Sequence, residues 1–105
     1  MKKKILVTNA EMKENGKELI LNIKEGFAIS ELKPMEQMLV DSDNLSFIYI
    51  TDNGEDYTYI SIPETVWPEL EKARRLDAAV YLKDENSMLL LAGFQEELTY
   101  LIENI

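Results

Sequence analysis

The sequence predicts an α+β domain in which an antiparallel sheet of about six strands, arranged as three hairpins, carries two or three helices. Its 105 residues have the size of one domain, and 46% hydrophobic with 30% charged residues is typical of a chain with a packed core. Three pairs of apolar runs are each joined by turn residues and followed by a segment with helical spacing. We therefore expect a single domain, residues 1–105, with the order ββα ββα ββα.

Each predicted hairpin joins two apolar runs across a turn that contains Asn, Asp or Gly. The six runs are Lys4–Asn9, Glu18–Ile23, Ser46–Thr51, Tyr57–Ile62, Ala79–Lys83 and Met88–Leu91. Asn15-Gly16 and Asn53-Gly54 favour tight turns in the first two hairpins, because both residues tolerate a positive φ.

One helix is predicted after each hairpin. The candidates are Ser30–Val40, Thr65–Leu76 and Phe94–Ile105. Pro34 limits the first to about two turns, with Met35, Met38 and Leu39 expected to face inward. Thr65 is the expected N-cap of the second, and the third has the clearest apolar periodicity.

The second and third units also align when one is shifted by 32 positions, which superimposes Tyr49 on Tyr81 and Asp52 on Asp84. Two explanations are open at this point. The chain contains an internal duplication, or two hairpin–helix units of similar length simply resemble each other.

The chain contains no Cys and no His. Thiol chemistry, His-ligated metals and Ser-His-Asp triads are therefore excluded, and we expect no cofactor and no enzymatic activity. The apolar run that begins at Ile5 stops at Thr8, too early for a secretory signal, and no later segment has the length of a membrane span. We expect a cytoplasmic protein with no membrane contact.

The net charge of −9 is unevenly distributed. Residues 34–71 contain nine acidic residues and no Lys or Arg, and residues 84–105 contain five more acids and again no base. Nucleic-acid binding needs clustered basic residues, so nucleic acid is not an expected partner. The expected partner is instead a basic protein, and the alternative is a second copy of the chain in a homodimer.

The central hairpin has two possible registers. A two-residue Asn53-Gly54 loop places Ile48 and Ile50 on one face with Tyr57 and Tyr59. A three-residue loop, residues 52–54, shifts the pairing by one and exchanges the faces of one strand. We predict the second register, because it collects the aromatic residues on one face and the aliphatic residues on the other.

In this second register, a surface of aromatic side chains forms with an acidic border. Its members are Phe47, Tyr49, Tyr57, Tyr59 and, on the flank of the following helix, Trp67. Two interpretations are open. Aromatic residues pack well on a pleated sheet without any function, and they are also enriched where partners bind.

Four aspartates in two acidic turns supply an alternative function. Asp41, Asp43, Asp52 and Asp56 offer the oxygen ligands that Ca²⁺ and Mg²⁺ prefer, although their spacing does not match an EF-hand loop. In this alternative, they are the catalytic or metal-binding residues of a carboxylate- or metal-dependent enzyme. A third possibility is a nucleic-acid mimic whose acidic surface occupies the DNA-binding site of a basic protein.

Residues 35–44, with the run Gln37-Met38-Leu39-Val40-Asp41-Ser42-Asp43-Asn44, and the C-terminal segment Phe94–Ile105 resemble the YjbL-type uncharacterised protein family of Gram-positive bacteria. The resemblance covers most of the chain after Ser30. It implies a small cytoplasmic protein and assigns no activity, cofactor, partner or site residue.

The leading hypothesis from the sequence is a non-enzymatic protein-interaction domain that binds through the aromatic face and its acidic border.

Overall fold

A computed structural model of the chain describes residues 3–24 and 28–104. Within them, seven strands and two α-helices form an α+β fold, as the sequence predicts. The elements are β1 (Lys3–Lys13), β2 (Glu18–Ile23), β3 (Lys33–Asp41), β4 (Ser46–Asp52), β5 (Tyr57–Pro63), α1 (Trp67–Leu76), β6 (Ala79–Lys83), β7 (Met88–Leu90) and α2 (Phe94–Glu103).

The strands form one sheet in the order β3-β4-β5-β1-β2-β6-β7. The three predicted hairpins, β1–β2, β4–β5 and β6–β7, are all present and antiparallel. The prediction of an antiparallel sheet of about six strands holds only in part, because β3 adds a seventh strand and the hairpins join through parallel pairs, β1 with β5 and β2 with β6. The predicted threefold ββα order is therefore broken at its first unit.

The segment predicted as a helix over Ser30–Val40 is strand β3. It lies at the edge of the sheet and pairs only with β4, a position where Pro34 is tolerated because one side of an edge strand needs no ladder partner. The pairing is irregular between Pro34 and Met38, where Glu36 has a φ of 54°. Of the three residues expected to face inward, only Met38 is buried; Met35 and Leu39 are exposed.

The other two predicted helices are confirmed, although their first or last residues differ from the prediction. A 3-10 turn, Glu64–Val66, precedes α1, so Val66 rather than Thr65 occupies the N-cap position, and no side chain caps the helix. Helix α2 begins at Phe94 as predicted and ends at Glu103. Ile105, the last residue of the predicted helix, lies outside the described residues.

Both helices pack on the same face of the sheet, which we call the inner face. The core on this face is formed by alternate strand residues and by one stripe of each helix: Ile5, Val7, Leu19, Leu21, Met38, Phe47, Tyr49, Ile60, Ile62, Val80 and Leu82 with Val66, Leu70, Ala73, Phe94 and Leu98. Helix α2 contacts both β3, at one edge, and β6, near the other edge, so the sheet curls around it. On the opposite face, which we call the outer face, none of the helices in residues 3–24 and 28–104 packs.

The sheet faces on which Tyr49 and Tyr81 lie test the hypothesis of an internal duplication. The alignment by 32 positions superimposes Tyr49 on Tyr81. Tyr49 belongs to the inner core, whereas Tyr81 alternates with the buried core residues Val80 and Leu82 and so points to the outer face. A duplication at this shift is therefore not supported by the arrangement of the strands.

Residues 28–32, which we call the crossing segment, lie on the inner side of the sheet before β3 and are held there by the carboxylate of Asp84. Ile29, 1% exposed, belongs to the core, and its backbone N–H donates to Asp84 Oδ2 at 3.0 Å. Asp84 Oδ1 accepts from the N–H groups of Asn86 and Ser87 and from the Ser87 hydroxyl. The backbone bonds from Ile29 and Asn86 lower the pKa of Asp84 to about 2.

Candidate interaction surface

The register of the central hairpin decides which side chains the outer face presents. Strand β4 pairs with β5 so that Tyr49 lies opposite Ile60, Ile50 opposite Tyr59, and Asp52 opposite Tyr57. The connecting loop has four residues, 53–56, instead of the two or three considered from the sequence. The preferred register is therefore wrong, and the face assignment of the other register holds: Ile48 and Ile50 share a face with Tyr57 and Tyr59.

The four-residue loop is favoured by side chains that bond to the backbone. The Asn53 N–H donates to the Asp56 carbonyl oxygen at 3.0 Å, and Asn53 Oδ1 accepts the N–H groups of Glu55 and Asp56. Asp52 Oδ1 accepts the Gly54 N–H at 2.7 Å, while Gly54 has a φ of 98°. These Asx turns stabilise a loop that is one residue longer than the predicted three-residue loop.

The predicted aromatic surface does not exist as one face. Phe47 and Tyr49 are buried on the inner face, where Phe47 packs against Trp67 at a ring distance of 4.9 Å and Tyr49 against Phe94 at 5.9 Å. Burial raises the pKa of Tyr49 to about 12, and its hydroxyl donates to the Ala92 carbonyl oxygen. Both residues stabilise the fold and are closed to a partner.

Trp67 is half-buried at the start of α1. Its Nε1–H donates to the Ile62 carbonyl oxygen at 3.2 Å, so the indole joins the helix to the end of β5. Its contact with Phe47 and this hydrogen bond explain its position structurally. An interaction role for Trp67 stays a prediction.

The outer face instead collects six apolar side chains, which we call the outer patch. They are Leu6, Leu39, Ile48, Ile50, Tyr57 and Tyr59, and strand pairing places Leu39 beside Ile48 and Tyr59 beside Ile50. Leu39, Tyr57 and Leu6 are 51%, 48% and 46% exposed. Tyr59 is half-buried, and Ile48 and Ile50 are buried although they lie outside the helix-packed core.

Leu6 and Leu39 were absent from the sequence prediction. Leu6 could have been found from strand alternation, because Ile5 and Val7 on either side of it are both core residues. Leu39 could not, since the segment around it was predicted as a helix with Leu39 facing inward.

Acidic residues border the outer patch. Asp41 lies beside Ser46 at one end of β4, and Asp52 lies beside Tyr57 at the other end. A side-chain hydrogen bond from Asn44 lowers the pKa of Asp41, so this carboxylate is charged at neutral pH. Lys4 is next to Tyr59 and supplies a positive charge on the β1 side of the patch.

The four aspartates of the alternative metal site are divided between the two ends of β4. Asp41 and Asp43 are at its start and Asp52 and Asp56 at its end, and the six residue steps from Ser46 to Asp52, at about 3.3 Å each, separate the ends by about 20 Å. In the described parts of the chain, no group of three or more acidic residues is placed to hold a metal ion. Also within these residues, no helix has the length and apolar character to cross a membrane.

Comparison with known proteins agrees with the resemblance found in the sequence. Residues 5–105 match the family of unknown function UPF0738. The chain is 41% identical over 105 residues to a UPF0738 protein of Bacillus pumilus (strain SAFR-032), covering 85% of it, and 37% identical over 105 residues to one of Geobacillus sp. (strain WCH70), covering 84%. No solved structure matches the chain. The expectation of an uncharacterised family from Gram-positive bacteria is confirmed, and the chain belongs to the UPF0738 family.

Proposed function

We propose that this chain is a non-enzymatic, cytoplasmic interaction domain that binds a basic protein through the outer patch. The observation that carries the proposal is the position of the patch: an apolar surface on the outer face of the sheet, with five of its six residues in the segment 34–71 that has acidic residues and no base.

The apolar part of the patch supplies the binding energy in this proposal. Leu6, Leu39 and Tyr57 are each about half exposed, and completing the burial of a large apolar side chain contributes on the order of 1 kcal/mol. Leu39 on β3, Tyr57 on β5 and Leu6 on β1 lie on one face, with Ile48 and Ile50 of β4 between β3 and β5, and apolar surfaces of this kind mark interaction sites.

The charges favour a basic protein over the other partners. Asp41 and Asp52 at the two ends of the patch would meet Lys or Arg at the rim of the partner. Nucleic acid would be repelled by the net charge of −9, and a second copy would bring two acidic borders together. The proposal also replaces the acidic nucleic-acid mimic, since it rests on apolar contacts rather than on charge alone.

The experiment is affinity capture from a cell extract with a double variant, Leu39→Ser with Tyr57→Ser. A matched control, Leu76→Ser with Tyr100→Ser, removes the same number of exposed apolar side chains from the two helices, where Leu76 is 58% and Tyr100 63% exposed. We expect the outer-patch variant to lose basic proteins that the wild type and the control retain.

Retention of every partner by the outer-patch variant would overturn the proposal, provided that its circular dichroism spectrum and unfolding midpoint match those of the control. Loss of self-association without loss of any basic protein would overturn the choice of partner. Size-exclusion chromatography of the purified chain measures this second outcome.

A further inference from the structure

Strand β7 presents backbone hydrogen-bonding groups at an open edge of the sheet. Within residues 3–24 and 28–104, β7 is the last strand of the sheet and pairs only with β6. The Leu91 N–H donates to the Val80 carbonyl oxygen at 2.9 Å, toward β6. Because backbone groups alternate in direction along an antiparallel strand, the N–H and C=O groups of Met88 and Leu90 point away from β6, toward the open edge.

The opposite edge of the sheet is protected against pairing with another chain. On β3, the Met38 N–H donates to Glu97 Oε1 of α2 at 3.1 Å, and Pro34 has no N–H to offer. The pairing of β3 is also irregular between Pro34 and Met38. Proline, bulges and charged side chains are the devices by which edge strands avoid a second partner. Strand β7, with the sequence Met-Leu-Leu, has none of them.

Two large apolar side chains lie on the outer face at this open edge. Met88 and Leu90 are 49% and 48% exposed, and they alternate with Leu89, which packs against the core. Strand pairing places Tyr81 beside Leu90 and Ile20 beside Tyr81. The four outer-face residues, which we call the edge cluster, are Ile20, Tyr81, Met88 and Leu90.

Polar side chains separate the edge cluster from the outer patch. Asn22 lies on the outer face of β2, because its neighbour Leu21 belongs to the core. Its Nδ2 donates to Asn9 Oδ1 at 2.7 Å and to Glu11 Oε1 at 3.2 Å on the adjacent strand β1. The edge cluster is therefore a second, separate apolar surface.

We propose that β7 pairs in antiparallel orientation with β7 of a second copy of the chain, about a two-fold axis at Leu89. This register places Met88 of each copy opposite Leu90 of the other. Each of these two pairs forms two hydrogen bonds, so every outward N–H and C=O group of both strands has a partner. The same pairing brings the exposed side chains of the two edge clusters into contact on one face.

The distribution of charge favours a second copy at this edge. Strand β7 has no charged residue, and in the proposed register the two Glu85 side chains lie at opposite ends of the paired strands. The acidic border of the outer patch, Asp41 and Asp52, is on or beside β4, five strand positions or about 24 Å from β7. This distance exceeds the Debye length of about 8 Å at physiological salt, so the border does not oppose the pairing.

The dimer should be weak, because a three-residue strand buries less than the roughly 800 Å² per partner of a stable interface. We expect a dissociation constant of about 0.1–1 mM. The two outer patches stay open and face the same side of the continuous sheet, since the axis is perpendicular to it. Dimerisation itself does not depend on the function proposed for these patches.

Sedimentation equilibrium of the chain between about 0.02 and 1 mM, in 0.15 M NaCl, tests the dimer. The weight-average mass of the wild type should rise from 12.1 kDa by a factor of about 1.5–1.8 at the highest concentration. Leu90→Lys should keep the monomer mass throughout. The matched control is Leu39→Lys, which changes a 51% exposed outer-face residue of the other edge strand and should associate like the wild type.

Two double variants test whether β7 is its own partner. Met88→Lys with Leu90→Lys, and Met88→Glu with Leu90→Glu, each place like charges opposite one another in the proposed register. Each should be monomeric alone, and an equimolar mixture should associate, because every Lys then lies opposite a Glu.

Amide hydrogen exchange of the wild type tests the backbone contact without any substitution, and serves if Leu90→Lys fails to fold. Exchange at Met88 and Leu90 should slow about twofold or more between 0.02 and 1 mM. The Leu91 amide, which already donates to Val80, should exchange equally at both concentrations.

A wild-type mass that stays at 12.1 kDa up to 1 mM would overturn the proposal. So would a dimer that Leu39→Lys abolishes and Leu90→Lys retains, or a mixture of the two double variants that stays monomeric while the wild type dimerises. Exchange rates of Met88 and Leu90 that do not change with concentration would overturn the assigned strand.

Discussion

Replacement of Asp84 by Asn removes the carboxylate that holds the crossing segment to the sheet. The carboxylate accepts four hydrogen bonds, among them one from the N–H of the buried Ile29, and these bonds lower its pKa from 3.8 to about 2. The lowering of the pKa from 3.8 to about 2 corresponds to at most about 2.5 kcal/mol, and screening by solvent at this largely exposed carboxylate reduces its contribution to on the order of 1 kcal/mol. We expect Asp84→Asn to lower the free energy of unfolding at pH 7 by this amount.

The loss should depend on pH with a defined sign. Because the pKa of Asp84 is lower in the folded chain, its contribution is complete above about pH 4 and disappears as the pH falls through 2. Urea unfolding of both proteins between pH 7 and pH 2 measures the difference, with Glu85→Gln as the control from the same turn. Parallel curves of the wild type and Asp84→Asn across this range, or an equal loss in Glu85→Gln, would refute the reasoning.

Two further substitutions test how α2 is joined to the sheet. Tyr49→Phe removes the hydrogen bond to the Ala92 carbonyl oxygen inside the core and should lower the unfolding free energy by about 1–2 kcal/mol, while leaving the fold intact by circular dichroism. Gly93→Ala should cost more than Gly54→Ala, by about 1 kcal/mol, in urea unfolding. Both glycines have positive φ, but a Cβ at Gly93 would lie 3.1 Å from Glu36 Cβ and one at Gly54 meets nothing within 4 Å. Equal losses for the two glycine variants would contradict the close approach of β3 to α2.

The local elements of the fold could be predicted from the sequence because each carries its own signal. Asn-Gly turns between apolar runs located two hairpins, and the spacing of Phe94, Leu98 and Leu101 located α2. The segment around Met38 could not be assigned in this way. Its spacing of Met35, Met38 and Leu39 satisfies a helix, while its strand conformation comes from pairing with β4, which is not a local property.

The candidate site depended on the hairpin register, and the register depended on the loop. Asn53 and Asp52 close a four-residue turn with side-chain hydrogen bonds, an arrangement that competes with the shorter Asn-Gly turn in the same residues. Because of this register, Tyr49 and Phe47 lie in the core rather than on the predicted aromatic surface. Leu39 belongs to the outer patch because residues 33–41 form the edge strand β3 instead of the predicted helix. The parallel pairing between the hairpins likewise could not be predicted, because no single segment of the sequence contains a signal for it.

The most direct test of binding through the outer face is a methyl spectrum of the ¹³C-labelled chain during titration with a basic protein recovered by affinity capture. We expect the methyl signals of Leu6, Leu39 and Ile48 to shift together, while those of Leu98 and Leu101 on α2 do not shift. Shifts confined to the α2 methyl groups, with Leu6 and Leu39 unchanged at saturation, would contradict it.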